Sequence, residues 1–301
     1  IIGCILSFFV IFIGAVGLYP LLQFLGTPSA IVSQSYLYIS TIVNGVAVTF
    51  AYNLCAGLLR AVGDSLAALY FLIIAAILNI LLDLYFITQL HLGVQSAGIA
   101  TIIAQGISAL LCLLYIRKKV PFLLPHRKDF VWEKELYQDL LSQGLAMGLM
   151  TSIVSIGTVI LQSAINQLGT TIISAQVAAR RIMSFAVLPI TAIASSITTF
   201  ISQNFGAEQF QRIKKGVTIA NLLSWVWSVL VAALLFFTSP SLTSFISGST
   251  NPDLIANASL YLQISSCFYP ILASLIILRN ALQGMGKKLT PLTSSFIELF
   301  G

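Results

Sequence analysis

Long uninterrupted apolar runs dominate the sequence and limit what the chain can fold into. Crossing the hydrocarbon core of a bilayer takes roughly 20 apolar residues in a helix. Barrel strands instead alternate in polarity over about ten residues, which these runs do not. The pattern predicts an all-α polytopic membrane protein. Runs of spanning length fall near residues 1–25, 35–59, 67–90, 95–116, 140–166, 172–203, 216–239 and 254–278, and a ninth begins at about 289.

The charge content excludes a water-soluble domain and indicates the topology. Charged residues make up 8% of the 301 residues and hydrophobic residues 58%, whereas a soluble domain carries about 25% charged residues. Thirteen of the 15 Lys and Arg residues fall in every second connection between the predicted spans. These four connections begin at or contain Arg60, Arg117, Arg212 and Arg279. By the positive-inside rule these connections are cytoplasmic. The net charge of +6 is thus explained by topology, and we expect no nucleic-acid partner.

The connection that follows Arg117 differs from the others and predicts a domain boundary. Between residues 117 and 143 it holds ten charged residues, together with Pro121 and Pro125. Its second half mixes apolar and charged residues, as in an amphipathic helix at a membrane surface. We therefore predict an amino-terminal lobe at 1–117, a cytoplasmic linker with an amphipathic helix at 118–139, and a carboxy-terminal lobe at 140–301.

Short internal similarities indicate that the two lobes are repeats. The sequence YLYIS at 36–40 recurs as YLQIS at 261–265, and LLRAVGDSLA at 58–67 is echoed by ALQGMGKKLT at 281–290. The two offsets, 225 and 223 residues, nearly agree. Both copies run from an outer end to a cytoplasmic loop, so the repeats are parallel. Parallel repeats imply a pseudo-twofold axis along the membrane normal, an arrangement known in secondary transporters.

An acid within an apolar run marks the strongest candidate site. Asp83 follows Asn79 by four residues, which puts both on one face of a helix. Intramembrane acids rarely face lipid and usually mark ion or proton pathways. Counted at 1.5 Å per residue, Asp83 lies about 10 Å and Thr101 about 9 Å inside the outer boundary. Tyr38, near the outer start of its own helix, is expected within reach of both.

Several stretches of the sequence resemble the multidrug and toxic compound extrusion (MATE) family. The clearest are LLRAVGDSLAALYFLIIAAILNILLDLYF, GVQSAGIATIIAQ and SSITTFISQNFGAEQFQRIKKG. The markers within them are the turn at Arg60–Asp64, the Asn79 and Asp83 pair, and the turn at Gln203–Ala207. The resemblance implies two six-helix lobes around a central cavity. It also implies that this chain is an internal piece, with both lobes incomplete, that starts at the third helix and ends inside the eleventh.

The Asn79 and Asp83 pair is typical of the family's DinF-like branch, in which the amino-terminal lobe carries the coupling ion. The resemblance therefore implies an ion-coupling role for Asp83, Asn79, Thr101 and Tyr38. It implies the same role for Asn53. The coupling ion is either H⁺, exchanged at Asp83, or Na⁺, held by oxygens of Asp83, Asn79 and Thr101. The alternative is that Asp83 forms hydrogen bonds to neighbouring helices and has a role in packing alone. We expect no other cofactor.

Three further polar residues in the carboxy-terminal lobe are candidates for the cavity wall. Arg180 and Arg181 lie inside a predicted span, where snorkelling or pairing between helices is the alternative. Glu298 lies in the truncated last span, and a packing role explains it equally well.

The function implied is a secondary antiporter in the cell membrane, here a bacterial cytoplasmic membrane, in contact with its lipid. It would act as a monomer and export amphipathic, often cationic, organic compounds in exchange for H⁺ or Na⁺. A lipid-linked saccharide flippase of the same superfamily is one alternative, and an ion channel is another. An enzyme is not expected, because no nucleophile-and-base pair, zinc motif or phosphate loop occurs in the runs.

Overall fold

The computed structural model describes residues 2–24, 29–126 and 133–300 of the chain. In this part of the chain the regular structure is entirely helical, apart from a short 3-10 turn at Pro121–Leu123. The fold class predicted from the apolar runs is therefore confirmed. The helices are α1 (Ile2–Phe24), α2 (Ser29–Asn44), α3 (Val46–Ala61), α4 (Ser65–Thr88), α5 (Gln95–Lys119), α6 (Lys134–Asn166), α7 (Thr170–Gly206), α8 (Phe210–Ser247), α9 (Pro252–Cys267), α10 (Tyr269–Gly284) and α11 (Leu289–Phe300).

Six of the described helices are individually long and apolar enough to cross a membrane, and two bent pairs raise the number to as many as eight. The pair α2 and α3 bends by 47° and the pair α9 and α10 by 54°. A glycine or a proline lies at each bend. Gly45 separates the first pair, and a side chain there would collide with Ile102 of α5. Pro270 opens α10, and proline cannot donate the backbone hydrogen bond that would continue the preceding helix.

The two bends support the internal repeat that the sequence predicts. The breaks at Gly45 and Phe268 lie 223 residues apart, which matches the offset of the repeated sequences. Gly63 and Gly286, separated by the same 223 residues, both have a left-handed backbone, with φ of 89° and 73°. Such angles favour glycine because it has no Cβ. The same broken span followed by the same turn therefore occurs once in each half of the chain.

The chain divides into two compact units, Ile1–Tyr137 and Gln138–Gly301. In the first unit α5 packs against α2, α3 and α4. The buried side chains of Leu59, Cys112 and Ile116 belong to one cluster. In the second unit α7 and α8 pack against each other and against α9 and α10.

The boundary between the units falls within the predicted linker 118–139, but the local structure there differs from the prediction. We expected an amphipathic helix separate from the following span. Residues 134–141 instead form the first turns of α6, which continues to Asn166 without a break. Residues 127–132 of the predicted linker lie outside the described residues.

The helix surfaces are apolar, as a lipid environment requires. Large hydrophobic side chains such as Phe8, Phe237 and Phe245 are exposed on α1 and α8, with 70%, 80% and 83% of their surface accessible. Much of the buried interior is instead made of small residues, including Ala100, Ala104, Ser108 and Ser224. Small residues let helix backbones approach closely, which is the usual basis of helix packing in membranes.

Candidate functional site

Asp83 lies on α4 with one carboxylate oxygen shielded from solvent. Its Oδ1 atom is buried and has no hydrogen-bond partner among the described residues. A buried polar atom without a partner costs free energy, and a charged one costs more than a neutral one. A bound cation or a proton would remove that cost, so the geometry is suited to either.

Asn79, one helical turn before Asp83, connects α4 to α5. Its Nδ2 atom donates a hydrogen bond to Thr101 Oγ1 at 3.2 Å, and Thr101 Oγ1 in turn donates to the carbonyl of Ala97 at 2.9 Å. Both side chains are partly buried. The structure therefore brings together two of the residues that were expected to surround Asp83.

Tyr38 lies on α2, which approaches α5 closely beside Thr101. A Cβ atom added at Gly98 would lie 3.2 Å from the side chain of Thr41 and 3.4 Å from the carbonyl oxygen of Tyr38. Gly98 thus permits α2 to pack within one turn of Thr101. In the described residues no hydrogen bond joins the Tyr38 hydroxyl to Asp83, Asn79 or Thr101.

The side chain of Asn53 bonds to the backbone of its own helix α3, beside a separate polar contact between α3 and α5. The side chain of Asn53 is exposed, and its Nδ2 atom donates to the carbonyl of Thr49 at 2.8 Å. Thr49 Oγ1 donates to Gln105 Oε1 at 2.6 Å. This link between α3 and α5 was not predicted from the sequence. The available signal was the spacing of Thr101 and Gln105, which places them one turn apart on a single face of α5.

The donor set around Asp83 limits which ions would fit. In the described part of the chain, no three His, Cys, Asp or Glu side chains come together as a metal-binding cluster. A cation at Asp83 would therefore have one acidic ligand and otherwise neutral oxygens, such as those of Asn79 and Thr101. That set is compatible with a hard monovalent cation and with a proton, and it does not distinguish between them.

The candidate residues of the carboxy-terminal unit are distributed over two places. Arg180 is partly buried and Arg181 is exposed, both on α7. Glu298 lies on α11 and forms an ion pair with Arg279, whose Nη2 atom is 2.8 Å from Glu298 Oε2. Arg279 was predicted to lie in a cytoplasmic connection. That was wrong, because Arg279 lies inside α10, which continues to Gly284.

The family and the relatives of the chain were identified by comparison with known proteins. The MatE family model matches residues 1–85 and 146–300, which is well over half of the chain. The chain belongs to the MatE family. The resemblance stated from the residue motifs is therefore confirmed, as is the expectation of a multi-pass membrane protein.

Two curated MatE relatives come from Bacillus subtilis (strain 168). "Probable multidrug resistance protein YpnP" is 29% identical over 293 residues, which cover 95% of this chain. "Probable multidrug resistance protein YoeA" is 24% identical over 297 residues, which cover 96% of the chain. The chain spans 64% of the length of each relative.

A solved structure confirms the MatE fold. It is described as the outward-facing conformation of a multidrug resistance MATE family transporter of the MOP superfamily. It matches with a TM-score of 0.91 at 21% identity and covers 98% of this chain and 66% of that chain. At this identity the match establishes the fold alone. The roles expected for Asp83, Asn79, Thr101, Tyr38 and Asn53 remain predictions.

Proposed function

We propose that the complete protein is a secondary antiporter that exports organic, often cationic, compounds in exchange for H⁺ or Na⁺. One observation carries the proposal: the buried Oδ1 atom of Asp83, which has no partner among the described residues. Ion coupling requires an acid within the membrane that can take up a proton or a cation. The names of the two Bacillus relatives support multidrug export.

Asp83 would couple ion binding to conformation through α4 and α5. Binding of a cation or proton at Asp83 changes the charge of a group beside the Asn79 and Thr101 hydrogen bond. The conformation in which α4 and α5 better accommodate the changed charge of Asp83 is then favoured. Because such coupling is reciprocal, the exported compound and the ion would change each other's binding affinity by the same factor.

Export by the complete chain in proteoliposomes, with sodium and pH gradients imposed separately, tests the proposal. We expect that one of the two gradients accelerates export of an organic cation such as ethidium, whereas the other has little effect. Export that responds to neither gradient would contradict antiport. Ion flux that proceeds without any counter-transported compound would instead indicate the channel alternative.

A further inference from the structure

The Arg279 and Glu298 pair joins two membrane helices of the carboxy-terminal unit. The Arg279 side chain is 11% exposed and the Glu298 side chain 41%. Arg279 lies five residues before the end of α10, or about 8 Å along the helix. Glu298 lies nine residues after the start of α11, or about 14 Å along it. Ionised residues within membrane-spanning helices are rare and tend to be functional.

Arg279 has a second acceptor that does not depend on Glu298. Its Nε and Nη2 atoms lie 3.2 Å and 2.8 Å from Ser294 Oγ, while a single bond from Nη2 reaches Glu298 Oε2. The pair is therefore not the two-bonded arrangement that makes Arg and carboxylate contacts strongest. Loss of the Glu298 contact would leave Arg279 with its bonds to Ser294.

Glu298 also forms part of a cavity wall, which makes it reachable by a ligand. A cavity of about 280 Å³ lies between α6 and α11. Its wall combines apolar side chains, such as Ile153, Val154 and Leu161 of α6, with the hydroxyls of Thr158 and Ser295, and Glu298 is its one charged lining residue in the described chain. A wall of this composition is suited to an amphipathic organic cation. Arg279 is not among the lining residues.

An organic cation and Arg279 would compete for the same carboxylate. Two positive charges beside one negative charge repel each other, and the repulsion is stronger in a medium of low dielectric than in water. Arg279 lies near the end of α10, which the basic turn at Lys287 and Lys288 marks as cytoplasmic. A long Arg side chain can extend from such a position towards the polar interface.

We propose that Arg279 is an exchangeable counter-ion, which occupies Glu298 when the cavity is empty and is displaced by an organic cation. The inference rests on the proposed export function and adds to it a second site, remote in sequence from Asp83. The return of Arg279 to Glu298 would help expel the exported cation. Arg279 would therefore lower the affinity for the cation and raise the rate of its release.

The test uses the complete chain, purified and reconstituted, with a matched pair of probes. N-methylacridinium is a permanent cation, and acridine has nearly the same shape but is uncharged at neutral pH. Equilibrium binding of each probe and export of N-methylacridinium are measured for the wild type, Arg279→Gln, Arg279→Lys and Glu298→Gln. Lys287→Gln serves as a control, because it removes a positive charge from the neighbouring turn that does not line the cavity. Size-exclusion profiles and melting temperatures check folding.

Opposite effects on affinity and turnover are the expected signature of exchange. Arg279→Gln should bind N-methylacridinium several-fold more tightly and export it several-fold more slowly, and Arg279→Lys should restore both values. Glu298→Gln should bind N-methylacridinium roughly tenfold or more weakly, with acridine binding almost unchanged. A purely structural ion pair would instead lower affinity and export together in Arg279→Gln. That result, or wild-type values in Glu298→Gln, would overturn the inference.

The same experiment separates this inference from the proposed function. The binding measurements need no ion gradient, so they can succeed or fail whether or not export is ion-driven. A wild type that exports N-methylacridinium under an ion gradient, with variants that behave like the wild type, would overturn the exchange while the antiport proposal stands.

Discussion

The side chain of Asn79 donates a hydrogen bond to Thr101, and this bond ties α4 to α5 one helical turn from Asp83. The donor and acceptor atoms lie 3.2 Å apart, and Thr101 also donates to the carbonyl of Ala97. The carboxylate of Asp83 is thus held beside a polar contact between two helices, in a chain whose interior is otherwise mainly apolar. The proposed coupling depends on this contact, because it links the charge of Asp83 to the packing of α4 on α5.

Removing the Thr101 hydroxyl should weaken ion coupling with little change in shape. Thr101→Val leaves Asn79 Nδ2 without its acceptor, one helical turn from Asp83. We expect the apparent affinity for the coupling ion, measured from the ion dependence of export, to fall roughly tenfold, which corresponds to about 1.4 kcal/mol. Thr101→Ser keeps the hydroxyl and should stay close to the wild type. Equal ion affinities for the two variants would contradict a role for the hydroxyl.

Asp64 should stabilise the start of α4 and its contact with α5 through two separate hydrogen bonds. Its Oδ1 atom accepts from the backbone N–H of Ala67 at 3.1 Å and so caps α4. Its Oδ2 atom accepts from the Tyr115 hydroxyl at 2.8 Å. Loss of a cap costs about 0.5–2 kcal/mol. Asp64→Ala should therefore lower the free energy of unfolding in detergent by more than Tyr115→Phe, which loses about 1 kcal/mol.

A double-mutant cycle isolates the Asp64 and Tyr115 contact. If the two side chains interact as the geometry indicates, Tyr115→Phe should have a smaller effect in the Asp64→Ala background than in the wild type. Full additivity of the two substitutions would show that the bond contributes nothing to stability.

Gly284 allows α10 to approach α7, so a larger residue there should be destabilising. A Cβ atom at this position would lie 2.8 Å from the backbone oxygen of Thr198 and 3.2 Å from the side chain of Ile201. Backbone cannot move aside as a flexible side chain can, and such overpacking typically costs about 1–3 kcal/mol. Gly284→Ala should therefore lower the melting temperature of the purified protein.

Gly148 provides the comparison for that substitution. It lies inside α6, and an added Cβ atom would meet nothing within 4 Å. Because Ala is favoured over Gly in a helix interior by roughly 0.5–1 kcal/mol, Gly148→Ala should leave stability unchanged or raise it slightly. A loss of stability as large as that of Gly284→Ala would show that close helix approach is not the cause.

The sequence carried most of the information on the spans because each apolar run is long enough to cross a bilayer by itself. The sequence also indicated the repeat. The breaks at Gly45 and Phe268, and the turns at Gly63 and Gly286, are separated by nearly the same number of residues as the repeated sequence motifs. Asp83 stood out because an acid is conspicuous in hydrocarbon. These features depend on local sequence, so they could be predicted from the sequence alone.

The contact between α3 and α5 and the full extents of α6 and α10 could not be predicted in the same way. The bond between Thr49 and Gln105 depends on the rotation of α3 against α5, which apolar runs do not specify. Arg279 was misplaced because the end of an apolar run was taken as the end of the helix, although α10 continues to Gly284. The start of α6 was missed for the related reason that charged residues can extend a membrane helix beyond the bilayer.

The most direct test of the coupling proposal is ion uptake during export, measured in proteoliposomes that contain the complete chain or its Asp83→Asn variant. Asp253→Asn, which changes an exposed acid in the first turn of α9, controls for a general effect of charge removal. We predict that export-dependent uptake of H⁺ or Na⁺ occurs in the wild type and in Asp253→Asn and is absent in Asp83→Asn, although that variant folds and inserts normally. Undiminished ion uptake in Asp83→Asn would contradict the account.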